Sequence, residues 1–376
     1  MNFTHDITIS DVELFPLYAE GGVSPHMALG QMQTRPALLI KITDSHGCYG
    51  WGEIWSNFPP RANVHKAHLV EDVMLNHLKG TTFSQPVELI HHLRDVLSIY
   101  FLHIGQREVF EHILAGIDTA AWDLCLRAAG TSFARFMEIT PAASVYASSL
   151  NADEFETRLQ HHVKMGQTEF KLKIGFEPIS DLDFVVSASV QLPGHCHLMI
   201  DSNQSWHVDE ARLMLERMEG YQLLFAEEAL RADSQRGDWE HLAKTTSIPL
   251  AAGENLYGIQ SFLEMADAGV RYLQPDVAKW GGVSAALELA DRLPKGCLLW
   301  PHFMGSAVGQ QAALAVSAAI GVSSKCEMDV NDNVLRTDLC GPCLTIEDGD
   351  ISLSNDTGLL TPPSPEMLDK YSCRTH

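Results

Sequence analysis

Seven polar residues stand at the ends of successive apolar runs: Lys173, Asp201, Glu227, Glu254, Asp276, His302 and Glu327, separated by 28, 26, 27, 22, 26 and 25 positions. Asp201, Glu227 and Glu254 offer three hard oxygen ligands with no interleaved His or Cys. Such a set suits Mg2+, with Mn2+ as a substitute, better than Zn2+. In "TEFKLKIGFE", Lys171 and Lys173 lie two residues apart, so on a strand their ammonium groups share one face. An ammonium beside another ammonium and a divalent cation has a lowered pKa, which makes Lys173 a candidate base near neutral pH. Lys171 is then both its neighbour and an electrophile. A His that donates one ring N–H to a carboxylate has a fixed tautomer and raised basicity, and Asp276 and His302 sit on adjacent runs where that dyad is feasible. Singly, each group is ordinary: an isolated KxK snorkels to water, a lone carboxylate caps a helix, and a lone His in "PHF" is a satisfied core residue. Three carboxylates at equivalent ends of consecutive units are harder to dismiss.

The runs themselves are "SVYASSL", "EFKLKIG", "CHLMIDSN", "LLFAEEAL", "IPLAAGEN", "VRYLQPDVAK", "GCLLWPHF" and "SKCEMDV", alternating with segments of helical apolar spacing that often stop at glycine. This order predicts an α/β chain of parallel strands, a (β/α)7–8 TIM-type barrel over 131–345, with chemistry at the C-terminal strand ends. An open doubly wound sheet would not so readily place these residues around one mouth. Residues 1–130 read as strands followed by helices, an N-terminal α+β capping domain. Its loops "YAEGGVSPHMALGQM" and "WSNFPPR" are rich in Gly, Pro and Asn and suit a mobile lid. There Glu20, His26, Asn57 and Arg61 would favour a hydroxylated substrate, and Trp51, Trp55, Phe58 and Met27 an apolar one. The segment 346–376 is expected to pack back on the capping domain.

Of 376 residues, 26 are basic and 48 acidic, a net charge of −22 that disfavours nucleic acid and anionic membrane as partners. No apolar run reaches a membrane span and the N-terminus lacks a leader pattern, so a cytoplasmic location is expected. The scattered cysteines fit reduced core thiols, and Cys340-Gly-Pro-Cys343 reads as loop cysteines. "HCH" at 195–197 imitates a metal motif but opens a strand, at the wrong rim. His91-His92 and His161-His162 are adjacent on helices and diverge.

The ordered set "KLKIG", "MIDSNQSW", "FAEEAL", "AAGENL", "QPDVAKWGG", "WPHF" and "CEMD" resembles the enolase superfamily, mandelate racemase subgroup, over nearly the whole chain. The resemblance implies removal of the proton α to a carboxylate, with an enediolate held by Mg2+. It implies Asp201, Glu227 and Glu254 as metal ligands and Lys173 as base on one face of the substrate carbon. Asp276 and His302 form the dyad on the other face, Lys171 is the carboxylate-side electrophile, and Glu327 is the acid that hydrogen-bonds the enediolate. Asn203 lies near metal and substrate carboxylate. Two features depart or compete. Ala229 follows Glu228 where the family usually has Pro, leaving the loop path uncertain, and Lys279 offers a rival acid/base of the muconate lactonising type. "GEN" together with His302 favours the dyad. The implied partner is a small-molecule carboxylate, in a homo-oligomer (dimer or octamer). Dehydration of a sugar acid is the expected reaction; racemisation or epimerisation of a 2-hydroxy acid, cycloisomerisation and a non-catalytic binding role are the alternatives.

Overall fold

The computed structural model describes residues 3–20, the backbone of 26–27 and 30–31, and residues 34–373. Eight parallel strands surround a common axis: Ala142–Leu150, Glu169–Lys173, His197–Asp201, Ala226–Glu227, Leu250–Ala252, Tyr272–Leu273, Leu298–Leu299 and Cys326–Asp329. The last of these pairs with the first through Cys326↔Val145 to Asp329↔Ser148. Between the seventh and eighth, the Glu327 N–H donates to Pro301 O at 3.1 Å, which joins the two ends of the sheet into a barrel. Several ladders are shorter than their apolar runs. In "VRYLQPDVAK" only Tyr272–Leu273 is paired as strand, since Pro275 has no N–H to continue.

Inside the barrel Tyr146, Met199, Phe225, Ala251, Tyr272 and Trp300 form a separate buried cluster. This plug fills the space beneath the polar rim, so the barrel is a packed core with one functional end.

The cap is an antiparallel sheet ordered Tyr49–Ile54, Thr34–Asp44, Ile7–Glu20 and Thr82–Phe83, packed against the helix Arg107–Ala128. Glycine makes this packing possible. A Cβ at Gly50 would lie 2.1 Å from Ala120 O, and one at Gly52 2.0 Å from Gly116 O, so strand and helix approach closer than any side chain permits. The chain after the barrel divides. Ile346–Glu347 and Asp350–Ser352 form a hairpin whose second strand pairs with Ala142–Ser144 of the first barrel strand, while Pro365–Tyr371 packs on the cap strand Ile7–Glu20. No helix among the described residues is long and apolar enough to cross a membrane.

His162, on the helix Phe155–Lys164 between the first two strands, is 7% exposed and its Nδ1 lies 2.6 Å from Gln167 Oε1. Burial pushes its pKa down to about 4, against the opposing hydrogen bond that His162 donates to Gln167 Oε1. The unfolded chain binds a proton near pH 6.5, so this group contributes its full stability above that value and loses it as pH falls toward 4. Between pH 7.5 and 5.5 the loss is roughly 1 kcal/mol. Urea unfolding of His162→Gln should show a correspondingly smaller drop over that interval than the wild type; equal drops would refute the assignment.

Candidate active site

Strand register places the first row of the site. Lys173 pairs with Asp201, and Asp201 with Glu227, so their side chains project from adjacent strands at one level. Lys171, one pleat lower on the same face, is fully buried and donates to Glu227 Oε2 at 2.7 Å and meets Glu327 Oε1 at 2.8 Å. The ring of Tyr146 lies beneath its ammonium, 5.5 Å from Nζ to centroid. Lys173, 3% exposed, donates to Asp201 Oδ2 and, at 3.2 Å, to Asn203 Oδ1. Asn203 is held in a left-handed turn by its own N–H on Asp201 Oδ1, 2.8 Å away.

The opposite wall carries the dyad. His302 Nδ1 is 2.9 Å from Asp276 Oδ2, and Asp276 Oδ1 accepts the N–H groups of Ala278 and Lys279. That hydrogen-bonded arrangement assigns the proton of Nδ1 to the Asp276 contact and turns Nε2 toward the cavity. Nε2 meets Glu254 Oε2 at 2.6 Å and lies 3.5 Å from Glu327 Oε2. Glu254 reaches this position from Gly253, whose φ is +155°. A Cβ there would lie 2.5 Å from Gln274 N.

The structure thus brings Lys171, Lys173, Asp201, Asn203, Glu227, Glu254, Asp276, His302 and Glu327 to one rim. It differs from the sequence expectation in charge. Burial alone would lower the Lys173 ammonium, but Asp201, with Glu327 and Glu227 behind it, outweighs burial and Lys171 and holds its pKa raised. His302 is likewise opposed by burial yet held well above the usual imidazole value by Glu254, Glu327 and the Asp276 hydrogen bond. Two ammonium groups on one face lower each other only weakly when each has a carboxylate against it.

The donor set at this mouth is rich in oxygen ligands. Six carboxylates (Asp201, Glu227, Glu228, Glu254, Asp276, Glu327) share this mouth with three lysines (171, 173, 279) and one imidazole, so full ionisation would leave two negative charges over even with His302 protonated. Glu227 Oε1 and Glu228 Oε2 are buried without a hydrogen-bond partner, and burial pushes the Glu227 carboxyl up to about 7. An all-oxygen, negatively overcharged set with orphaned oxygens fits a hard divalent ion. Among the described residues no three such groups are yet gathered at ligand spacing, because Asp201 is turned onto Lys173 and Glu254 onto His302.

Several contributors were not picked out in the sequence. Glu228 lies beside Asp201 and Glu254 with a left-handed backbone. Its carbonyl accepts from Ser202 Oγ at 3.0 Å and from the Gln204 N–H at 2.9 Å, which fixes the loop path that Ala229 had left open. Asn255 bridges Glu228 Oε1 and Glu254 Oε1 at 2.7 and 2.8 Å. Two acids of the cap reach across to the barrel. Glu53 accepts from the Ser306 and Gly309 N–H groups at the start of Ala307–Ile320, just after His302, and Asp118 from the Ser284 N–H near the start of Gly282–Arg292, after Asp276. Each acid caps a helix N-terminus and so docks the cap beside the dyad. Only the adjacent acids of "AEEAL" gave a local signal; Glu53 and Ser306 are too far apart in sequence to show one.

Over the rim, Trp55, Asn57 and Phe58 of the cap meet Lys173, His302 and Met304 around a cavity of about 120 Å3. Asn57 Nδ2 donates to Met304 O, tying this loop to the seventh strand's loop. Trp51 is a correction: it is 5% exposed in the cap core, its N–H bound to Asp123, and does not line the cavity. Arg61 is exposed and Glu20 ends the first cap strand; neither lines it. The side chains of His26 and Met27 lie outside the described residues.

Barrel, cap and rim together have the form of a two-domain enzyme of one known class. Residues 19–137 match the mandelate racemase/muconate lactonizing enzyme N-terminal domain, and 154–366 match the enolase C-terminal domain-like model. The chain belongs to this family of the enolase superfamily. It is 24% identical over 385 residues to arabinonate dehydratase of Saccharolobus solfataricus, covering 98% of this chain and 100% of that one. Among solved structures it is 33% identical to a mandelate racemase/muconate lactonizing enzyme from Bordetella bronchiseptica RB50, with a TM-score of 0.90 over 98% of this chain and 100% of the other. An enolase from Bradyrhizobium complexed with magnesium and mandelic acid shares the fold at 22% identity and a TM-score of 0.85, covering 99% of each chain.

Proposed function

We propose that this protein uses Mg2+ to remove the proton α to the carboxylate of a small acid, and that its reaction is the dehydration of a sugar acid. The carrying observation is that Lys173 and His302 line one cavity from strands 2 and 7, across the barrel mouth, with a row of carboxylates between them. Asp201, Glu227 and Glu254 would hold the ion. A divalent cation there supplies Lewis acidity, and it takes up carboxylate charge that Asp201 and Glu254 now direct at Lys173 and His302.

Lys173 takes the α-proton as a free amine. Lys171, anchored between Glu227 and Glu327, presents fixed positive charge to the substrate carboxylate, and Glu327 Oε2, buried with no hydrogen-bond partner, would hydrogen-bond an enediolate oxygen only in its protonated form. His302, oriented by Asp276, returns or delivers a proton on the opposite side, to the departing β-hydroxyl in a dehydration. Trp55 and Phe58 shield the mouth from water. Dehydration is favoured by the sugar-acid dehydratase matching along the full chain. The same pair of bases would serve a racemase or epimerase.

The test is to incubate the purified protein with Mg2+ and a panel of acid sugars in D2O. Loss of one water, with solvent deuterium on the former β-carbon of the 2-keto product, read by mass spectrometry, supports the proposal. Exchange with the formula retained points to racemisation or epimerisation, and binding without exchange to any acid refutes α-proton chemistry.

A further inference from the structure

One buried cation of the mouth has no part in the roles above. Lys279 lies in the loop between the sixth strand and Gly282–Arg292, its side chain 7% exposed, and lines the cavity with Lys173 and His302. An ammonium carries three donors. Among the described residues this one makes a single hydrogen bond, to Asn255 Oδ1 at 2.8 Å. Its closest carboxylate oxygen, Glu254 Oε1, is 3.7 Å away, beyond hydrogen-bond length. The Trp55 ring lies 4.7 Å from Lys279 Nζ and 4.8 Å from the Nζ of buried Lys66 in the cap, so both lysines pack on this indole. Glu254 also locates the spare donors. Its Oε1 faces Lys279 and its Oε2 faces His302 Nε2, so Lys279 and the dyad flank one carboxylate in the cavity wall.

We propose that Lys279 is a specificity-determining residue that donates a hydrogen bond to an oxygen on the carbon next to the reacting one, and that the substrates are therefore acids hydroxylated at the β-carbon. This rests on the roles given above to Lys173 and His302. A hydroxyl fits better than a second carboxylate, because the substrate's own carboxylate already adds a negative charge to a mouth of six carboxylates and a hydroxyl accepts the hydrogen bond without adding charge. An acid with only an aryl or alkyl β-substituent would leave the Lys279 donors facing an apolar group, which is costly in a buried site.

The experiment compares aldonic acids with their 3-deoxy counterparts as probes, following loss of the α-hydrogen, by exchange or elimination, in D2O with Mg2+ and ligand Kd by calorimetry, in wild type, Lys279→Met and Lys279→Arg. Wild type should favour the 3-hydroxy acid by roughly 100-fold or more in kcat/KM. In Lys279→Met the ratio should fall, chiefly through KM and Kd, to what the His302 contact alone sustains, and Lys279→Arg should recover part of the loss. A wild-type ratio in a Lys279→Met protein with unchanged thermal unfolding overturns the proposal. Lys173→Ala separates the two ideas: undiminished exchange of both enantiomers in that variant removes the base assignment, while the Kd ratio still decides Lys279.

Discussion

Lys173→Ala should lose α-hydrogen exchange by about 10³-fold or more while still binding substrate, and His302→Asn should lose proton delivery on the other side by about 10²–10⁴-fold. Lys173 and His302 are carried on strands 2 and 7, which are separated by two strands around the ring and reach one cavity. Alanine removes the amine outright, and the neighbour Lys171 cannot replace it, because its Nζ is pinned between Glu227 and Glu327 one pleat lower. Asparagine keeps a polar group near Asp276 but cannot exchange a proton near neutral pH. In a dehydratase with Lys173 as sole base, His302→Asn should retain exchange and lose elimination; in a racemase each variant should retain exchange of only one enantiomer. Full turnover in both variants would defeat the two-base assignment. The pH profile gives a further check. Both groups are held protonated by carboxylates in this arrangement, so activity should rise with pH on the limb set by the base and shift downward as Mg2+ is raised.

The site was legible because its side chains recur once per β/α unit. Period and strand-end position follow from local pattern, and barrel geometry converts equal spacing into a common rim. The KLK pair shows the limit. Alternation correctly placed Lys171 and Lys173 on one face, yet the direction of their pKa shifts depends on which carboxylates stand against them, a matter of contacts 28 to 156 residues away such as Asp201, Glu227 and Glu327. Trp51 differs for a related reason: in "WGEIW" Trp51 lies within the strand and Trp55 just past its end, so Trp51 packs with Phe15 in the cap while Trp55 reaches the mouth. Glu53 lies between them in the same run and holds the helix after His302. Nothing in its flanking residues announces that contact.

Mg2+ should raise the unfolding temperature by a few degrees at saturating concentration, an effect reversed by EDTA and absent in Glu227→Gln. A ligand that binds only the folded chain adds about 2.7 kcal/mol at one hundred times its Kd. The control has an opposite intrinsic effect, which makes the comparison decisive. Burial pushes the Glu227 carboxyl up to about 7, with Asp201 and Glu327 adding to the shift, against Lys171. An acid whose folded pKa is raised binds its proton more tightly when folded, so it costs stability increasingly as pH climbs from its ordinary value near 4.5 through 7. Glutamine removes that cost and keeps an acceptor for Lys171. Without metal at pH 8, Glu227→Gln should therefore unfold at or above the wild-type temperature; with Mg2+ the order should reverse, because the wild type gains a bound ion that the amide variant holds poorly. Equal Mg2+ stabilisation of both proteins would show that the ion, if bound, does not use Glu227. The crossing of the two curves reads metal ligation directly and needs no knowledge of which acid the enzyme turns over.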